Sequence, residues 1–258
     1  MNGYGDGRQI FAYREHHASI GSTNDRALAL AARPGLPLPA LVTATEQTRG
    51  RGRHGKRWSS HTGSVTATVV IGLPGADAVT LSRAAVGTAV CLVDAVARLT
   101  PAAADSLRLK WPNDVFLGGG KLAGVLVETR RCGGDVRLAV GYGLNVTDEV
   151  PAGAATLARY MPTGDRDAPT SAEIAAETAA EIASRLPTIA RDGLPLDRLA
   201  ELDLLAGRQV VVRNAPGGEV AAAGRAVAID ADGRLLVDTD GRVRAVSSGT
   251  VEYPEDSA

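Results

Sequence analysis

The sequence predicts an α+β fold in two unequal parts, a larger part of mixed helices and strands followed by a small all-β module. Three helical segments alternate with short runs rich in β-branched residues, which is the pattern of helices packed on a sheet. After residue 205 the helical pattern ends, and β-type runs alternate with Asp-Gly turns. The 258 residues, of which 45% are hydrophobic, are sufficient for both cores.

The first predicted helix begins near Thr23. Residues 22–25, Ser-Thr-Asn-Asp, have the spacing of a capping box, and alanines and leucines follow until Arg33-Pro-Gly. Beyond this helix, β-type runs at 40–45 and 65–71 stand on either side of a basic, glycine-rich segment. We therefore expect that segment to be an ordered or ligand-ordered loop between two strands.

Two further helices are predicted with short strands between them. Apolar residues recur at helical spacing from Thr80 to Leu99, which indicates one face packed on a sheet. A second capping box, from Thr170 to Glu173, opens a helix that we expect to end at Leu186, before Pro187. The runs between these helices, at 107–110, 115–117, 122–128 and 136–146, predict neighbouring and mostly antiparallel strands.

The C-terminal part is predicted to be a compact β module. The pairs Asp232-Gly and Asp240-Gly stand between β-branched runs, the strongest local signal for tight hairpins. Accordingly, we divide the chain into a larger domain at 1–205 and a small domain at 206–258.

Composition limits the classes of function. The formal net charge of -1 argues against a general nucleic-acid binder, which needs a wide basic face. Cys91 and Cys132 form neither a disulfide framework nor a CxxC pattern, and the four histidines lack metal-ligand spacing. The N-terminus has no secretory-signal pattern, and the most apolar stretch, 84–97, is too short to span a bilayer. We expect a cytoplasmic protein without membrane association or a protein-bound metal cluster.

Positive charge is concentrated in residues 49–57, Arg-Gly-Arg-Gly-Arg-His-Gly-Lys-Arg. Five of these nine residues are Arg or Lys, and no Asp or Glu occurs between Glu46 and Asp77. Glycines allow successive N–H groups to face one anion as a nest, and arginines add bidentate donors. The segment therefore favours a phosphate or pyrophosphate site, with a non-specific nucleic-acid tether or a solvated polar loop as alternatives.

Two further motifs carry lysine at strand ends. Gly118-Gly-Gly-Lys121 is not a P-loop, because Val115 stands at the position of its first glycine and Leu122 at that of its Ser or Thr. The simplest interpretation of Lys121 is a solvated lysine at a hairpin tip. The segment 110–114, Lys-Trp-Pro-Asn-Asp, is a turn with polar side chains beside an indole. With the basic loop, these turns indicate catalysis by positioning and electrostatics.

Five motifs in order resemble those of biotin protein ligases. They are Gly-Ser-Thr-Asn-Asp at 21–25, Glu-Gln-Thr-Arg-Gly-Arg-Gly-Arg-His-Gly at 46–55, Lys-Trp-Pro-Asn-Asp at 110–114, Gly-Lys-Leu-Ala-Gly-Val-Leu-Val-Glu at 120–128 and Gly-Tyr-Gly-Leu-Asn-Val at 141–146. The resemblance implies an α+β (α/β) catalytic domain with a central mixed, largely antiparallel sheet flanked by helices, plus a small C-terminal SH3-like β-barrel. The short segment before Ser22 implies the monofunctional type, without an N-terminal DNA-binding domain.

The resemblance also implies an activity. Such ligases use ATP and Mg²⁺ to activate biotin as biotinyl-5'-AMP with release of pyrophosphate. They then transfer biotin to a specific lysine of a biotin carboxyl carrier protein, as in acetyl-CoA carboxylase. The implied partners are biotin, ATP and the carrier domain, and DNA and membranes are not expected.

The resemblance assigns roles to individual residues. Lys121 and Arg53 are implied as catalytic, because fixed cations stabilise the negative charge that develops on the α-phosphate oxygens. The implied biotin contacts are Ser22, Thr23, Asn24, Gln47, Arg51, Gly52, Arg53, Lys121, Gly124, Gly141 and Gly143. The implied ATP and adenylate contacts are Arg51, Arg53, Trp58, Asn113, Lys121 and Asn145. No firm metal ligand is implied, although Asp114 stands where it would steady Mg²⁺ carried by ATP.

The basic loop is expected to act as a lid over the adenylate, because the mixed anhydride hydrolyses if water reaches it. Arg49 and Lys56 depart from the residues that are usual in the family at these positions, and Lys cannot reproduce bidentate contacts. Two alternatives remain open at this point. One is a lipoate or octanoate ligase or transferase of the same fold, and the other is a ligand-responsive nucleic-acid-binding regulator.

Overall fold

A computed structural model of the chain describes residues 10–61, 63–161 and 168–253. The larger part contains strands β1 (Tyr13–Ile20), β2 (Ala40–Gln47), β3 (Val65–Gly72), β4 (Leu107–Lys110), β5 (Asp114–Leu117), β6 (Gly120–Cys132) and β7 (Asp135–Leu144). Its helices are α1 (Thr23–Ala31), α2 (Ala78–Leu99), α3 (Ser171–Asp192) and α4 (Leu196–Leu202). The seven strands form one sheet in the order β1-β2-β3-β7-β6-β5-β4, and only β1 and β2 run parallel. The prediction of a mixed, largely antiparallel sheet is confirmed.

Helices cover both faces of this sheet. Helices α2 and α3 pack against each other and against β3 and β6, whereas α1 packs on β2, β3, β6 and β7. Successive residues of β3 serve opposite faces: Val69 belongs to the large core beneath α2 and α3, and Val70 to a smaller core beneath α1. Among the described helices, α2 is the one long and apolar enough to cross a membrane, but 61% of its most apolar window is buried inside the protein.

Helix α3 passes through Pro187, so the prediction that it ends at Leu186 is wrong. Leu186, Ile189 and Ala190 are buried on both sides of the proline, and this apolar packing outweighs the missing hydrogen bond. The predicted capping box is confirmed. The Thr170 hydroxyl accepts from the Glu173 N–H at 3.2 Å, and the Glu173 carboxylate accepts from the Thr170 N–H at 2.8 Å.

Helix α1 begins at Thr23 as predicted, but its capping box is absent. The Ser22 side chain makes no capping hydrogen bond. Instead, the Thr23 N–H donates to Gln47 Oε1 at 2.8 Å, so a side chain at the end of β2 meets the first free amide of the helix. Because Gln47 and not Ser22 accepts from this amide, the Ser22 hydroxyl is available for another partner.

Glu15 ties β1 to α1 through Arg26. The Arg26 Nε and Nη2 atoms donate to the Glu15 carboxylate, at 2.5 and 2.9 Å. These bonds, and those from His17 and Tyr13, lower the pKa of Glu15 to about 2. A carboxylate whose pKa is lower in the folded protein than in the unfolded chain stabilises the fold when the pH is above its unfolded-state pKa. This stabilisation is lost as the pH falls towards its folded-state pKa.

We expect Glu15→Gln to lower the free energy of unfolding most above pH 5, with the difference from wild type shrinking as the pH falls from about 4.5 towards 2. Urea titrations between pH 3 and pH 8 measure this difference. The Arg26→Gln variant should show the same pH dependence, since it breaks the same pair. A difference that stays constant across this range would contradict the assignment.

The C-terminal part is a separate antiparallel sheet. Its strands β8 (Gln209–Arg213), β9 (Val220–Ile229), β10 (Leu235–Thr239), β11 (Arg242–Val246) and β12 (Thr250–Glu252) lie in the order β11-β10-β9-β8-β12. The predicted turn at Asp240-Gly241 connects β10 to β11, with φ of 53° and 80°. Within the described residues no ladder joins β11 to β12, so closure into a barrel is not seen. The division at 205/206 stays a prediction.

The turn between β9 and β10 anchors the C-terminal sheet to the larger part. Trp111, which is 1% exposed, donates its indole N–H to the Gly233 carbonyl at 2.8 Å. Arg83 of α2 pairs with Asp232 at 2.7 Å and donates to the Ala231 carbonyl at 3.0 Å. Trp111 therefore joins the Lys-Trp-Pro-Asn-Asp turn to the C-terminal sheet.

We expect Trp111→Phe to lower the free energy of unfolding by about 2 kcal/mol, because the buried Gly233 carbonyl loses its partner. Urea unfolding followed by circular dichroism measures the loss. Trp58→Phe is the matched control, because the Trp58 Nε1 atom has no partner within the protein. Equal losses in the two variants would show that the hydrogen bond is not the cause.

Candidate active site

One cavity of about 280 Å³ brings the predicted motifs together. Its walls are the start of α1, the basic loop, the turn between β4 and β5, strands β6 and β7, and residues 249–251 near the end of the chain. The predicted site residues on its walls are Ser22, Thr23, Asn24, Gln47, Arg51, Gly52, Arg53, Trp58, Asn113, Asp114, Lys121, Gly124, Gly141 and Gly143. Positions from Ser22 to Gly143, together with residues 249–251, thus meet in one place.

At the end of the cavity formed by Ser22, Thr23 and Gln47, the lining is uncharged and polar. Gln47 Oε1 accepts from the N–H and the hydroxyl of Thr23, at 2.8 and 3.1 Å. The Ser22 hydroxyl is 2% exposed and has no hydrogen-bond partner within the protein. Because buried polar atoms are almost always paired, Ser22 indicates a ligand with a polar group at this end.

The side-chain amide of Asn24 is fully hydrogen-bonded within the protein. Its Nδ2 donates to the Leu126 carbonyl at 3.2 Å and to Glu128 Oε2 at 2.8 Å, and its Oδ1 accepts from the Thr68 hydroxyl at 2.8 Å. A β-carbon at Gly141 would overlap this amide, so only glycine leaves room for it. Both amide hydrogens of Asn24 are therefore committed, which leaves the predicted biotin contact without a free N–H donor from this residue.

The basic loop forms a short hairpin in the structure. Arg51 and Arg57 pair as an isolated bridge, the Gly52 N–H donates to the Lys56 carbonyl at 2.7 Å, and the Trp58 N–H donates to the Gly50 carbonyl at 3.0 Å. The segment lies between β2 and β3 as expected, and whether it is ordered without a ligand stays a prediction. The predicted nest of N–H groups facing an anion lacks one of its members, because the Gly52 N–H donates to the Lys56 carbonyl within the hairpin.

Trp58 ends the loop and covers the sheet. Its indole lies against Gly143, where a β-carbon would overlap the ring, and near Gly124. Lys121 Nζ lies 6.0 Å from the ring centroid, within cation–π range. The Trp58 Nε1 atom is buried without a partner, so it is a second polar atom available to a ligand.

The other end of the cavity is strongly positive. Six Lys and Arg side chains line the cavity, and Asp114 is the one carboxylate among its described lining residues. Lys121 Nζ lies 2.7 Å from Asp114 Oδ1. Arg53 has neutral acceptors at its Nη1: Asn113 Oδ1 at 3.2 Å and the Gly249 carbonyl at 3.4 Å. Burial lowers the pKa of Arg53, although Asp114 opposes the shift.

Sequence reasoning assigned no role to three groups that the structure places here. Lys110 lines the cavity between the rings of Phe116 and Tyr253, 5.7 and 4.5 Å from their centroids. Burial lowers the pKa of Lys110. Residues 249–251 close one wall, and Glu128 holds Asn24. Lys110 stands in a motif that the sequence singled out, whereas nothing local signals residues 249–251.

Asn145 does not reach the cavity wall. Its side chain, 4% exposed, donates to the carbonyls of Lys121 and Ala155, at 3.4 and 3.1 Å. It therefore supports the backbone beneath Lys121, and its contact with the nucleotide stays a prediction. No group of three or more His, Cys, Asp or Glu residues suited to hold a metal ion occurs in the described ranges.

Comparisons with known proteins agree with these motifs. Residues 17–145 match the Biotin/lipoate A/B protein ligase family, and residues 206–253 match the Biotin protein ligase C terminal domain. A biotin–(acetyl-CoA-carboxylase) ligase from Mycobacterium tuberculosis is 35% identical over 256 residues, which cover 92% of this chain and 87% of that protein. This chain belongs to the biotin protein ligase family.

Other biotin protein ligases match over different lengths. A biotin–(acetyl-CoA-carboxylase) ligase from Paracoccus denitrificans is 42% identical over 138 residues, 53% of this chain and 56% of that protein. The biotin protein ligase from Aquifex aeolicus in complex with biotin and ATP has a TM-score of 0.74 and 24% identity, covering 95% of this chain and all of that chain. At this identity the structural likeness shows the biotin protein ligase fold.

Proposed function

We propose that this biotin protein ligase activates biotin with ATP as biotinyl-5'-AMP, and transfers the biotin to a lysine of a biotin carboxyl carrier protein, such as that of acetyl-CoA carboxylase. The observation that carries the proposal is the polarity of this cavity, uncharged at Ser22 and rich in cations at Arg53 and Lys121. Biotin has a neutral ureido ring at one end and a carboxylate at the other, where the phosphates must lie. The names of the relatives from M. tuberculosis and P. denitrificans, which give biotin and acetyl-CoA carboxylase, support the acid and the acceptor.

Binding of biotin is assigned to the uncharged end. The Ser22 hydroxyl is the unpartnered group that faces the ureido ring, and Gln47 fixes Thr23 beside it. Gly141 and Gly143 leave space beside strand β7, since side chains there would overlap Asn24 and Trp58. This orientation directs the biotin carboxylate towards the cations.

In the first step, a biotin carboxylate oxygen attacks the α-phosphorus of ATP, and the bond to the β-phosphate oxygen breaks. Pyrophosphate leaves with that bonding pair, and the new bond is the acyl phosphate of biotinyl-5'-AMP. Negative charge increases on the non-bridging α-phosphate oxygens, so Lys121 and Arg53 stabilise the transition state more than the bound substrates. Trp58 Nε1 and Asn113 are further contacts to the nucleotide.

Magnesium fits this arrangement as an ion carried by ATP. Mg²⁺ is commonly held by one or two carboxylates, phosphate oxygens and water, and Asp114 supplies one carboxylate in the cavity. When bound, the ion neutralises charge on the leaving pyrophosphate. Asp114 would then exchange its contact with Lys121, 2.7 Å in this structure, for the ion.

In the second step, the ε-amine of the carrier lysine attacks the acyl carbon of the adenylate. An amide bond forms, AMP leaves, and the amine loses a proton. The basic loop excludes water from the anhydride between the two steps. We also place the activity in the cytoplasm, without membrane or DNA partners, in keeping with the free Cys91 and Cys132 and the balanced charge.

Pyrophosphate release in the presence of biotin and MgATP tests the activity, followed by transfer of labelled biotin to a carrier domain. No pyrophosphate release would contradict the proposal. Competition between biotin and lipoate separates this function from the lipoate alternative. If lipoate, and not biotin, supports pyrophosphate release, the acid has been assigned wrongly.

A further inference from the structure

Glu128 connects the two halves of the cavity through one carboxylate oxygen. Its Oε2 accepts from Asn24 Nδ2 at 2.8 Å and from Arg51 Nη2 at 2.6 Å. Asn24 belongs to the start of α1, and Arg51 belongs to the basic loop. The position of the loop is thus linked to the end of the cavity that carries Ser22.

Asp25 contacts the same guanidinium nitrogen as Glu128. Its Oδ1 lies 2.8 Å from Arg51 Nη2, so two carboxylates from different elements share one arginine nitrogen. We call Asp25, Arg51 and Glu128 the loop clasp. The contact between Arg51 and Glu128 is partly shielded, because these side chains are 39% and 27% exposed, whereas Asp25 is 55% exposed, so water and salt weaken its contact more.

The clasp lies at the base of the hairpin. Arg51 pairs with Arg57 across the loop, and Gly52 bonds to Lys56 one step further out. A fixed Arg51 therefore fixes the Arg51–Arg57 and Gly52–Lys56 pairs of the hairpin. These pairs in turn set the direction of Arg53, two residues after Arg51. Arg53 is directed to Asn113 and to the Gly249 carbonyl on the opposite wall. The loop spans the cavity from the clasp to that wall.

We propose that Glu128, with Asp25, is a positioning residue that holds the basic loop closed over the cavity through Arg51. In this arrangement Arg51 is the anchor of the loop, and Arg53 is its cation for the phosphate. The consequence for catalysis rests on the proposed function: retention of the acyl-adenylate depends on the clasp. The closure of the loop itself does not rest on it.

Amide hydrogen exchange of the unliganded protein tests the clasp directly. The Gly52, Lys56 and Trp58 N–H groups are bonded within the hairpin and its turn, so their exchange reports loop opening. We expect Glu128→Gln to speed exchange in residues 50–58 by about fivefold, since a charge-assisted contact is lost. Asp25→Asn, at an exposed side chain, should produce a smaller increase without affecting the fold.

Glu201→Gln is the matched control. Glu201 pairs with Arg198 at 2.7 Å on α4, outside the cavity wall, so this variant breaks an ion pair of similar length away from the loop. A double-mutant cycle of Glu128→Gln with Arg51→Gln should be strongly non-additive, because Glu128 acts on the loop through Arg51. Unchanged exchange in 50–58, equal effects from Glu201→Gln, or additive effects in the cycle would each overturn the proposal.

A second measurement follows the adenylate. After incubation with radiolabelled biotin and MgATP and rapid gel filtration, we expect the bound acyl-adenylate to leave Glu128→Gln about fivefold faster than wild type, matching the gain in loop opening. If wild type accumulates no adenylate, the proposed function fails while the exchange result still decides the clasp. If the loop opens faster but the adenylate does not leave faster, the clasp does not control retention.

Discussion

Lys121→Met should reduce pyrophosphate release by at least about 100-fold in kcat, with a much smaller change in the KM for biotin. Methionine keeps most of the aliphatic stem and removes the ammonium group. The loss falls on kcat because the charge on the α-phosphate oxygens is greatest in the transition state. Single-turnover formation of labelled biotinyl-5'-AMP separates this step from transfer.

The contact of Lys121 with Asp114 makes a control necessary. Lys121 Nζ lies 2.7 Å from Asp114 Oδ1. If Lys121 did no more than hold Asp114 in place, Asp114→Asn would reduce the activity in the same way as Lys121→Met. We expect Asp114→Asn to act mainly on the dependence of the rate on Mg²⁺ and ATP concentration. Retention of activity within about threefold in Lys121→Met would contradict the catalytic role, as would identical profiles in both variants.

Arg53→Met should separate stability from activity. The Arg53 side chain is half-buried, and the acceptors at its Nη1 are neutral. Loss of a desolvated charge without a close carboxylate partner costs the unliganded protein little, so its Tm should stay the same or rise. Adenylate formation should fall by about 100-fold, because one donor to the phosphate is gone.

The measurement is thermal unfolding with and without MgATP and biotin. At a fixed concentration, a ligand that binds the folded state raises the Tm more when it binds more tightly, so the shift should shrink in Arg53→Met while the unliganded Tm does not fall. Arg53→Lys should be intermediate, because it keeps the charge but not the two parallel donors. Arg159→Met, at an arginine that is 71% exposed, is the control. A drop in the unliganded Tm with a normal ligand shift would assign Arg53 to folding.

The sequence predicts most of this fold because its signals are local. Apolar periodicity over 80–99 identifies α2, and the Thr170 to Glu173 box identifies the start of α3. Strand β1 was missed for a physical reason. Its residues alternate between exposed and intermediate burial, and its partner β2 lies parallel to it, so no hairpin turn marks the pair.

The candidate site could be predicted as a set of residues but not as a set of contacts. Lys121, Arg53 and the α1 start line one cavity, in agreement with the ordered motifs. The partners of Arg51 were not foreseen, because Glu128 lies 77 residues away on another element. At Pro187 the prediction failed in the opposite way, because a local rule was applied where tertiary packing decides. Proline ends an isolated helix, but here the buried residues on both sides keep α3 continuous.

The last described strand completes the cavity wall at Gly249, Thr250 and Val251. A chain that is still emerging from the ribosome therefore lacks one side of this cavity until residues 249–251 have been synthesised. Arg53 donates to the Gly249 carbonyl, which lies 196 residues further along the chain. If the proposed function holds, nascent molecules should be unable to form the adenylate before residues 249–251 have folded against the cavity.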